Sequence, residues 1–333
     1  PQASLIIPVN IKGNGGDVAG TGLATTHTAA SVGILWQTSS NLIALSDFSS
    51  SNQKVKITAG SSSGNAVIAA YDGPNATGNI LWSWHIWVTD YNPDSSSVKN
   101  GNIYTYNSRT WMDRNLGATT ATPGNVGVKG LYYQWGRKDP FPGSTTLTGT
   151  EEPTLYGAVT AVTKTQVSAS NNLPNSILYP ATFYYGLYGS SIGYDWYTET
   201  NNHAYQNDAL WGGASATTPT GKTIFDPCPA GWRVPAWSNN TSPWNGFSAS
   251  SFTWSATNYG RTYISVDTFY PAAGYRHCSS GAFYNVGTYG SYWSASVSGT
   301  VQFVYNLYFN SSNVFPSNSN NRAYGFSVRC VRE

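Results

Sequence analysis

The chain has 333 residues and a formal net charge of +2; charged residues make up 10% of it and aromatic residues 15%. Because an average soluble domain has about 25% charged residues, this chain must rely on Ser, Thr, Asn and Gly for solubility, which is typical of secreted or cell-surface β-proteins. Lys and Arg are scattered, which argues against nucleic acid or an anionic membrane as a partner. No apolar run approaches the roughly 20 residues of a membrane span, so we expect no transmembrane segment.

Residues 1–97 are predicted to form a β-sandwich domain of the Ig-like class. Short apolar runs alternate there with clusters of Gly, Ser and Asn, which is the pattern of strands and turns in a sandwich. These runs lie at residues 4–9, 32–36, 54–57 and 66–71. The run Ile80–Val88 contains three tryptophans and is predicted to be a central strand packed on both faces. The polar, turn-prone residues 91–97 mark the predicted domain boundary.

Residues 98–333 are predicted to form a second domain that is mainly β with α+β character and rich in irregular loops. Aromatic residues and glycines are dense there, and periodic apolar runs are few. The helical signal is weak, and its best candidates are residues 131–135 and 198–210. We therefore expect aromatic packing and loop hydrogen bonds to hold this domain together.

The segment 275–333 mixes two kinds of sequence. Short motifs that look like fixed scaffold sequence, such as Tyr292-Trp293-Ser294, alternate with positions occupied by Tyr, Ser, Asn, Phe and His. Tyr offers a large contact area at low entropic cost, and Ser and Asn supply adaptable hydrogen bonds, as in antibody-type binding surfaces. Solvated strands and turns would look similar, because strands also favour aromatic residues. Both interpretations stay open on this pattern alone.

The three cysteines lie at positions 228, 278 and 330, and the odd number leaves one without an intramolecular partner. We favour a disulfide between Cys228 and Cys330, because both lie in scaffold-like sequence motifs, whereas Cys278 lies in a segment that looks variable. In a reducing compartment all three would be thiols.

Five short sequence motifs occur in order along the second part of the chain. They are residues 111–118 (WMDRNLGA), 132–137 (YYQWGR), 226–235 (DPCPAGWRVP), 292–294 (YWS) and 325–332 (GFSVRCVR). This ordered set resembles the Fibrobacter succinogenes major paralogous domain of Bacteroidetes surface lipoproteins and pilus-tip proteins, over roughly residues 99–333. The resemblance implies the C-type lectin-like fold, which formylglycine-generating enzymes also use. The N-terminal part is similar to the β-domain that often precedes this one.

Residues 275–325 also resemble the variable region of a target protein of a diversity-generating retroelement. In such a system an error-prone reverse transcriptase rewrites template adenines, and Asn codons become Tyr, Ser, His, Cys or Phe codons. The resemblance implies that the rewritten positions contact the ligand. They would be His277, Cys278, Ser279, Tyr284, Tyr289, Ser291, Phe303, Tyr305, Tyr308, Phe315 and Tyr324. This interpretation also accounts for the odd cysteine, Cys278.

Catalytic and metal-dependent functions find little support. A calcium-dependent lectin would need carboxylates near Trp293-Ser294-Ala295, where none occurs. The formylglycine-generating chemistry needs a second cysteine near Cys330, and the four histidines lack metal-ligand spacing. Glu151 and Glu152 would point to opposite faces of a strand and so could not act as an acid–base pair. We expect no catalytic residue, no metal site and no cofactor.

These patterns together predict a non-catalytic, surface-exposed adhesin or receptor, secreted or anchored at the outer membrane. Its partner would be a protein or glycan on a host, microbial or phage surface, and pilus subunits would display it at a pilus tip. Trp111, Trp232, Trp293 and the disulfide would keep the scaffold rigid. The alternative is a structural pilus or envelope subunit whose aromatic face packs against a neighbouring subunit.

Overall fold

The computed structural model describes residues 3–16, 19–93, 102–186, 194–200, 202–213, 217–299 and 303–333. The chain is mainly β, with 37% strand and 5% helix arranged in several sheets. This confirms the β-rich class predicted from the sequence. The predicted domain boundary at residues 97 and 98 lies outside the described residues.

Six strands occupy the first ninety residues and form two three-stranded antiparallel sheets. They are β1 (Ser4–Pro8), β2 (Ser31–Gln37), β3 (Ile43–Ser46), β4 (Lys54–Ala59), β5 (Gly64–Tyr71) and β6 (Ile80–Val88). The sheet orders are β1-β4-β3 and β2-β5-β6. The prediction that Ile80–Val88 is a central strand is wrong, because β6 lies at the sheet edge. The central strand is β5, in which every residue is buried.

The next part of the chain contains six short strands and the only α-helix among the described residues. The strands are β7 (Ile103–Tyr106), β8 (Arg109–Met112), β9 (Leu131–Gln134), β10 (Phe141–Pro142), β11 (Thr163–Gln166) and β12 (Thr182–Tyr185), and the helix is α1 (Leu173–Leu178). Both helix predictions are wrong: residues 131–134 form β9, and residues 198–210 contain one turn of 3-10 helix at His203–Tyr205. Two further 3-10 turns lie at Val126–Lys129 and Ala249–Ser251.

The remaining strands follow from residue 232 onward. They are β13 (Trp232–Arg233), β14 (Phe252–Ser255), β15 (Gly260–Tyr263), β16 (Thr268–Pro271), β17 (Tyr275–Arg276), β18 (Phe283–Tyr284), β19 (Gly290–Val297), β20 (Phe303–Phe309), β21 (Val314–Asn321), β22 (Gly325–Ser327) and β23 (Val331–Arg332). The largest sheet has eight strands in the order β10-β9-β22-β19-β20-β21, with β17 pairing β22 and β18 pairing β17. Strand β21 forms one edge of this sheet.

One hydrophobic cluster joins the two parts of the chain. Trp82 of β6 belongs to the same buried cluster as Trp135 and Trp293 of the second part. Polar contacts reinforce this junction: the Asn65 side chain donates a 2.8 Å hydrogen bond to the Gly117 carbonyl. The two predicted domains therefore share buried apolar surface.

The predicted disulfide is present. Cys228 and Cys330 are bonded across a sequence separation of 102 residues. Both cysteines are buried, and Trp111, Trp232 and Trp293 are each 0% exposed. These three predicted scaffold tryptophans are therefore core residues. None of the described helices has the length and apolar character needed to cross a membrane.

Candidate binding site

A cleft of about 260 Å³ opens on one face of the eight-stranded sheet, and we call it the aromatic cleft. Its walls come from β17, β19, β20, β21 and β22 and from the residues next to them. Nine residues line it: Tyr275, Tyr289, Ser291, Tyr308, Phe315, Asn318, Asn320, Tyr324 and Phe326. Eight of the nine lie within residues 275–325, the segment predicted from the sequence to bind ligand, and Phe326 follows it directly.

Strand pairing explains why these residues meet. Ser291 of β19 lies opposite Tyr308 of β20, and Tyr308 lies opposite Phe315 of β21. Directly opposed residues on neighbouring strands project from the same face of a sheet. Gly290 allows β19 and β20 to approach closely, because a Cβ at this position would collide with the Phe309 ring on the next strand.

Aromatic rings form two walls of the cleft. The rings of Tyr308 and Phe315 are nearly parallel, with an interplanar angle of 16° and a centroid distance of 5.7 Å. Tyr289 meets Tyr308 edge-on at 5.2 Å. On the other side, Tyr275 meets Tyr324 edge-on at 5.4 Å. These contacts fix the orientations of the rings that line the cleft.

Three asparagines form a polar strip beside the rings. The fully buried Asn306 accepts hydrogen bonds through its Oδ1 from the Nδ2 atoms of Asn320 at 3.0 Å and of Asn318 at 3.5 Å. Asn306 in turn donates to the Leu307 carbonyl. Asn318 and Asn320 are two residues apart on β21, so both side chains project from the same face. The side-chain carbonyl oxygens of Asn318 and Asn320 accept no hydrogen bond from a described residue.

The lining of the cleft is uncharged. It consists of phenol, phenyl, amide and hydroxyl groups. Burial raises the pKa of Tyr308 to about 12, and burial also raises the pKa values of Tyr275 and Tyr324. These three phenols are therefore neutral at physiological pH.

The structure places five of the eleven predicted contact residues in the lining of the cleft. These five are Tyr289, Ser291, Tyr308, Phe315 and Tyr324. Ser291 is only 2% exposed and forms part of the cleft floor, whereas Phe315 is 47% exposed.

Three further predicted residues surround the cleft without lining it. His277 lies 4.7 Å from the Tyr284 ring and 5.2 Å from the Tyr324 ring, measured between ring centroids. The Ser279 hydroxyl lies 2.9 Å from Nδ1 of His277. His277, Ser279 and Tyr284 thus form a rim that contacts the lining residue Tyr324.

The last three predicted contact residues lie away from the cleft. Phe303 and Tyr305 alternate with Asn306 and Tyr308 along β20, so they project from the opposite face. Tyr305 stacks there on Trp237 at 3.8 Å. Cys278 is only 1% exposed and belongs to the main hydrophobic cluster, so its thiol offers a ligand no contact surface in this structure.

Sequence reasoning missed four lining residues. Asn318 and Asn320 are not among the predicted contact residues, Phe326 belongs to the motif at residues 325–332, and Tyr275 begins the segment 275–333. Alternation along β21 gives no signal that groups the asparagines with Phe315, because Phe315 and Asn318 are three residues apart. A shift in the register between β20 and β21 brings them to the same cleft. Tyr275 and Phe326 give no local signal either, because the pairing of β17 with β22 brings them to the cleft.

A second cleft, of about 430 Å³, is polar and includes Asp113, Arg114 and Asp267. Arg114 forms a 2.7 Å ion pair with Asp113 and so occupies that carboxylate. Across the described ranges, no three His, Cys, Asp or Glu side chains converge as metal ligands would. Elsewhere, Glu152 forms ion pairs with Lys164 and Arg276, while Glu151 accepts a hydrogen bond from the Thr146 hydroxyl.

Comparison of the chain with protein-family models, with curated proteins and with solved structures gave no match. The geometry of the aromatic cleft is therefore the main support for a functional assignment.

Proposed function

We propose that this chain is a non-catalytic ligand-binding protein of the cell surface, an adhesin or receptor whose aromatic cleft holds the ligand. One observation carries the proposal. Five of the eleven positions that the retroelement resemblance implies, all between Tyr289 and Tyr324, line a single cleft. Aromatic anchors beside adaptable polar groups are the composition of protein recognition sites.

The scaffold behind the cleft supports this role. Trp293 lies on β19, and its indole donates a 2.8 Å hydrogen bond to the Tyr133 carbonyl. Trp135 donates similarly to the Ser294 carbonyl at 3.1 Å. Such buried, hydrogen-bonded tryptophans let residues at the cleft surface change without loss of the fold.

The family assignment is part of the same proposal. We propose that residues 98–333 form a C-type lectin-like domain related to the Fibrobacter succinogenes major paralogous domain, preceded by an Ig-like sandwich. The protein would be secreted or anchored at the outer membrane, and a pilus tip would suit its display. The five sequence motifs, which occur in the same order as in that family, support this assignment. The buried disulfide Cys228–Cys330 is consistent with an oxidising compartment.

Binding is tested with fluorescently labelled protein on intact bacterial cells and on cultured epithelial cells, read by flow cytometry. We expect Y308A/F315A to reduce bound fluorescence by about tenfold or more, because aromatic anchors dominate binding energy. The matched control is Y179A/Y205A, which removes two exposed tyrosines outside the cleft lining. Equal binding by both variants, or no binding of the wild type to either surface, would contradict the proposal.

Diversification by a retroelement is tested separately by deep sequencing of the codons for residues 260–333 in descendants of one clone. We expect changes at Tyr289, Tyr308 and Phe315, confined to adenines of a near-identical template copy in the same genome. Codons for the buried Trp293 and Arg329 should stay constant. An invariant segment would exclude diversification and leave a fixed adhesin.

A structural subunit is the second candidate function, and exposed apolar residues on β1 favour it. Leu5 and Ile6 are 55% and 63% exposed, and β1 pairs only with β4 among the described strands. An edge strand of this kind can pair with a neighbouring chain. Sedimentation analysis should then show oligomers that L5S/I6S dissociates; a monomer at all concentrations would argue against this role.

A further inference from the structure

The absence of charge in the aromatic cleft restricts its ligands. All nine lining residues are Tyr, Phe, Asn or Ser. The nearest histidine, His277 at the rim, has its pKa lowered by burial and is neutral at pH 7. A charged group entering the cleft would lose water without gaining a counter-charge, which costs free energy. Phosphates, carboxylates and ammonium groups therefore do not suit it.

The size and shape of the cleft favour a ligand group of one ring. Ligand pockets for drug-sized molecules measure about 300 to 1,000 Å³, and this cleft measures about 260 Å³. The nearly parallel rings of Tyr308 and Phe315 form an apolar wall along two neighbouring strands. Such a wall covers an apolar face of a ring, such as one formed by C–H groups.

The polar strip favours a ligand with several hydrogen-bond donors. Asn318 and Asn320 use their amide nitrogens on Asn306, which leaves the carbonyl oxygens as acceptors in the cleft. Ser291, which is 2% exposed, adds a hydroxyl group to the lining of the cleft. An aromatic side chain of a protein partner would cover the rings but leave these acceptors desolvated and unpaired. A polyhydroxylated ring satisfies both surfaces.

We infer that the aromatic cleft binds one ring of a neutral carbohydrate, which packs against Tyr308 and Phe315 while its hydroxyls donate to Asn318 and Asn320. This inference rests on the proposed function and specifies the ligand class at the same site. No metal ion is needed, because the contacts are ring packing and hydrogen bonds to amides.

Saturation-transfer difference NMR on the full chain tests the inference with four neutral sugars: glucose, galactose, mannose and N-acetylglucosamine. The charged counterparts are the uronate of each of the three hexoses and, for N-acetylglucosamine, glucosamine. We expect transfer to at least one neutral sugar and at least about tenfold weaker binding of its charged counterpart. F315A and N318A should each weaken binding, and Y205A should leave it unchanged. N318A keeps the shorter Asn320–Asn306 hydrogen bond, so the strip stays folded, and a thermal melt of each variant checks this.

Transfer that persists in F315A and N318A, or no transfer to any neutral sugar, would overturn the inference. The cell-binding assay separates this failure from failure of the proposed function. Cleft-dependent binding that survives periodate treatment of the cells but is abolished by protease would identify a protein ligand, which refutes the carbohydrate and keeps the receptor. Loss with periodate and survival after protease would support the inference.

Discussion

Burial at single positions decides which reactive side chains of this chain are available to solvent. Cys278 lies in the variable-looking segment, and the sequence suggested an exposed contact position for it. The structure packs it in the main hydrophobic cluster beside Tyr324, and burial raises the pKa of its thiol to about 12. Sequence pattern could not reveal this, because a small polar-looking position in a loop carries no periodic signal.

The accessibility of Cys278 gives the first prediction. A thiol reagent such as dithionitrobenzoate should react at least about 100-fold more slowly with the native chain than with the denatured chain, because the thiolate is the reacting species. Denaturation without reductant should release one thiol per chain, since Cys228 and Cys330 are bonded. The variant C278S should release none. Two or three thiols in the unreduced wild type would disprove the disulfide.

The second prediction concerns pH and His85. Burial lowers the pKa of His85 from 6.5 to about 3, and its Nε2 lies 2.9 Å from Oδ1 of Asn65. The unfolded chain therefore takes up a proton near pH 6.5 while the folded chain does not. Stability present above pH 6.5 should be lost as the pH falls toward 3, by up to about 1.4 kcal/mol per pH unit.

The measurement is the free energy of unfolding in urea between pH 7 and pH 4. We expect H85Q to lose less stability than the wild type over this range, because glutamine can still donate to Asn65 but does not titrate. Parallel curves for the two proteins would show that His85 is already protonated in the folded chain near pH 6.

Strand periodicity decides, at the level of single elements, which side chains can act together. Apolar runs of the first ninety residues predicted strands where β1, β2, β4 and β5 occur. The interpretation of residues 131–135 as helical was wrong because all four residues of β9 are buried between β10 and β22. A strand buried on both faces lacks the alternation by which strands are recognised. The six-residue helix α1 was too short for a helical period to show.

The alternation along β20 gives the third prediction. Tyr308 lines the cleft and Tyr305 stacks on Trp237 from the opposite face of the sheet. We expect Y308A to reduce ligand binding and leave the melting temperature nearly unchanged. Y305A should do the reverse and destabilise the fold by about 1 to 3 kcal/mol, because it removes a stacked aromatic contact.

Both variants carry the same Tyr→Ala change on one strand, so each is the control for the other. The measurements are cell binding by flow cytometry and thermal unfolding by circular dichroism. If Y305A lost binding while keeping its stability, the ligand surface would lie on the Trp237 face and the cleft would be the wrong site.

Long-range connections hold the molecule together across its whole length. The cluster that contains Trp82 also contains Trp135 and both cysteines of the disulfide. Ser83 donates a 2.7 Å hydrogen bond to Asp139, and Trp87 donates a 3.1 Å hydrogen bond to the Ala118 carbonyl. The N-terminal sheets therefore pack on the part of the chain that contains the aromatic cleft.

The disulfide gives the fourth prediction. It connects residues 102 positions apart, and closing such a loop restricts the unfolded chain by about 4 to 5 kcal/mol in the loop-entropy description. C228A/C330A should lower the free energy of unfolding, measured in urea, by about 4 to 5 kcal/mol. C278A is the matched control, because it removes one buried thiol without opening the loop. An equal loss in the two proteins would assign the effect to packing.

The sequence by itself determined the β-rich class, the Cys228–Cys330 pair and the segment that contains the cleft. These properties depend on composition, on local apolar runs and on short sequence motifs, all of which can be read along the chain. Only the tertiary structure decided that β6 is an edge strand, that Tyr305 and Cys278 lie away from the cleft, and that Asn318 and Asn320 line it. These outcomes depend on strand order, register and facing, and pairing partners distant in sequence set all three.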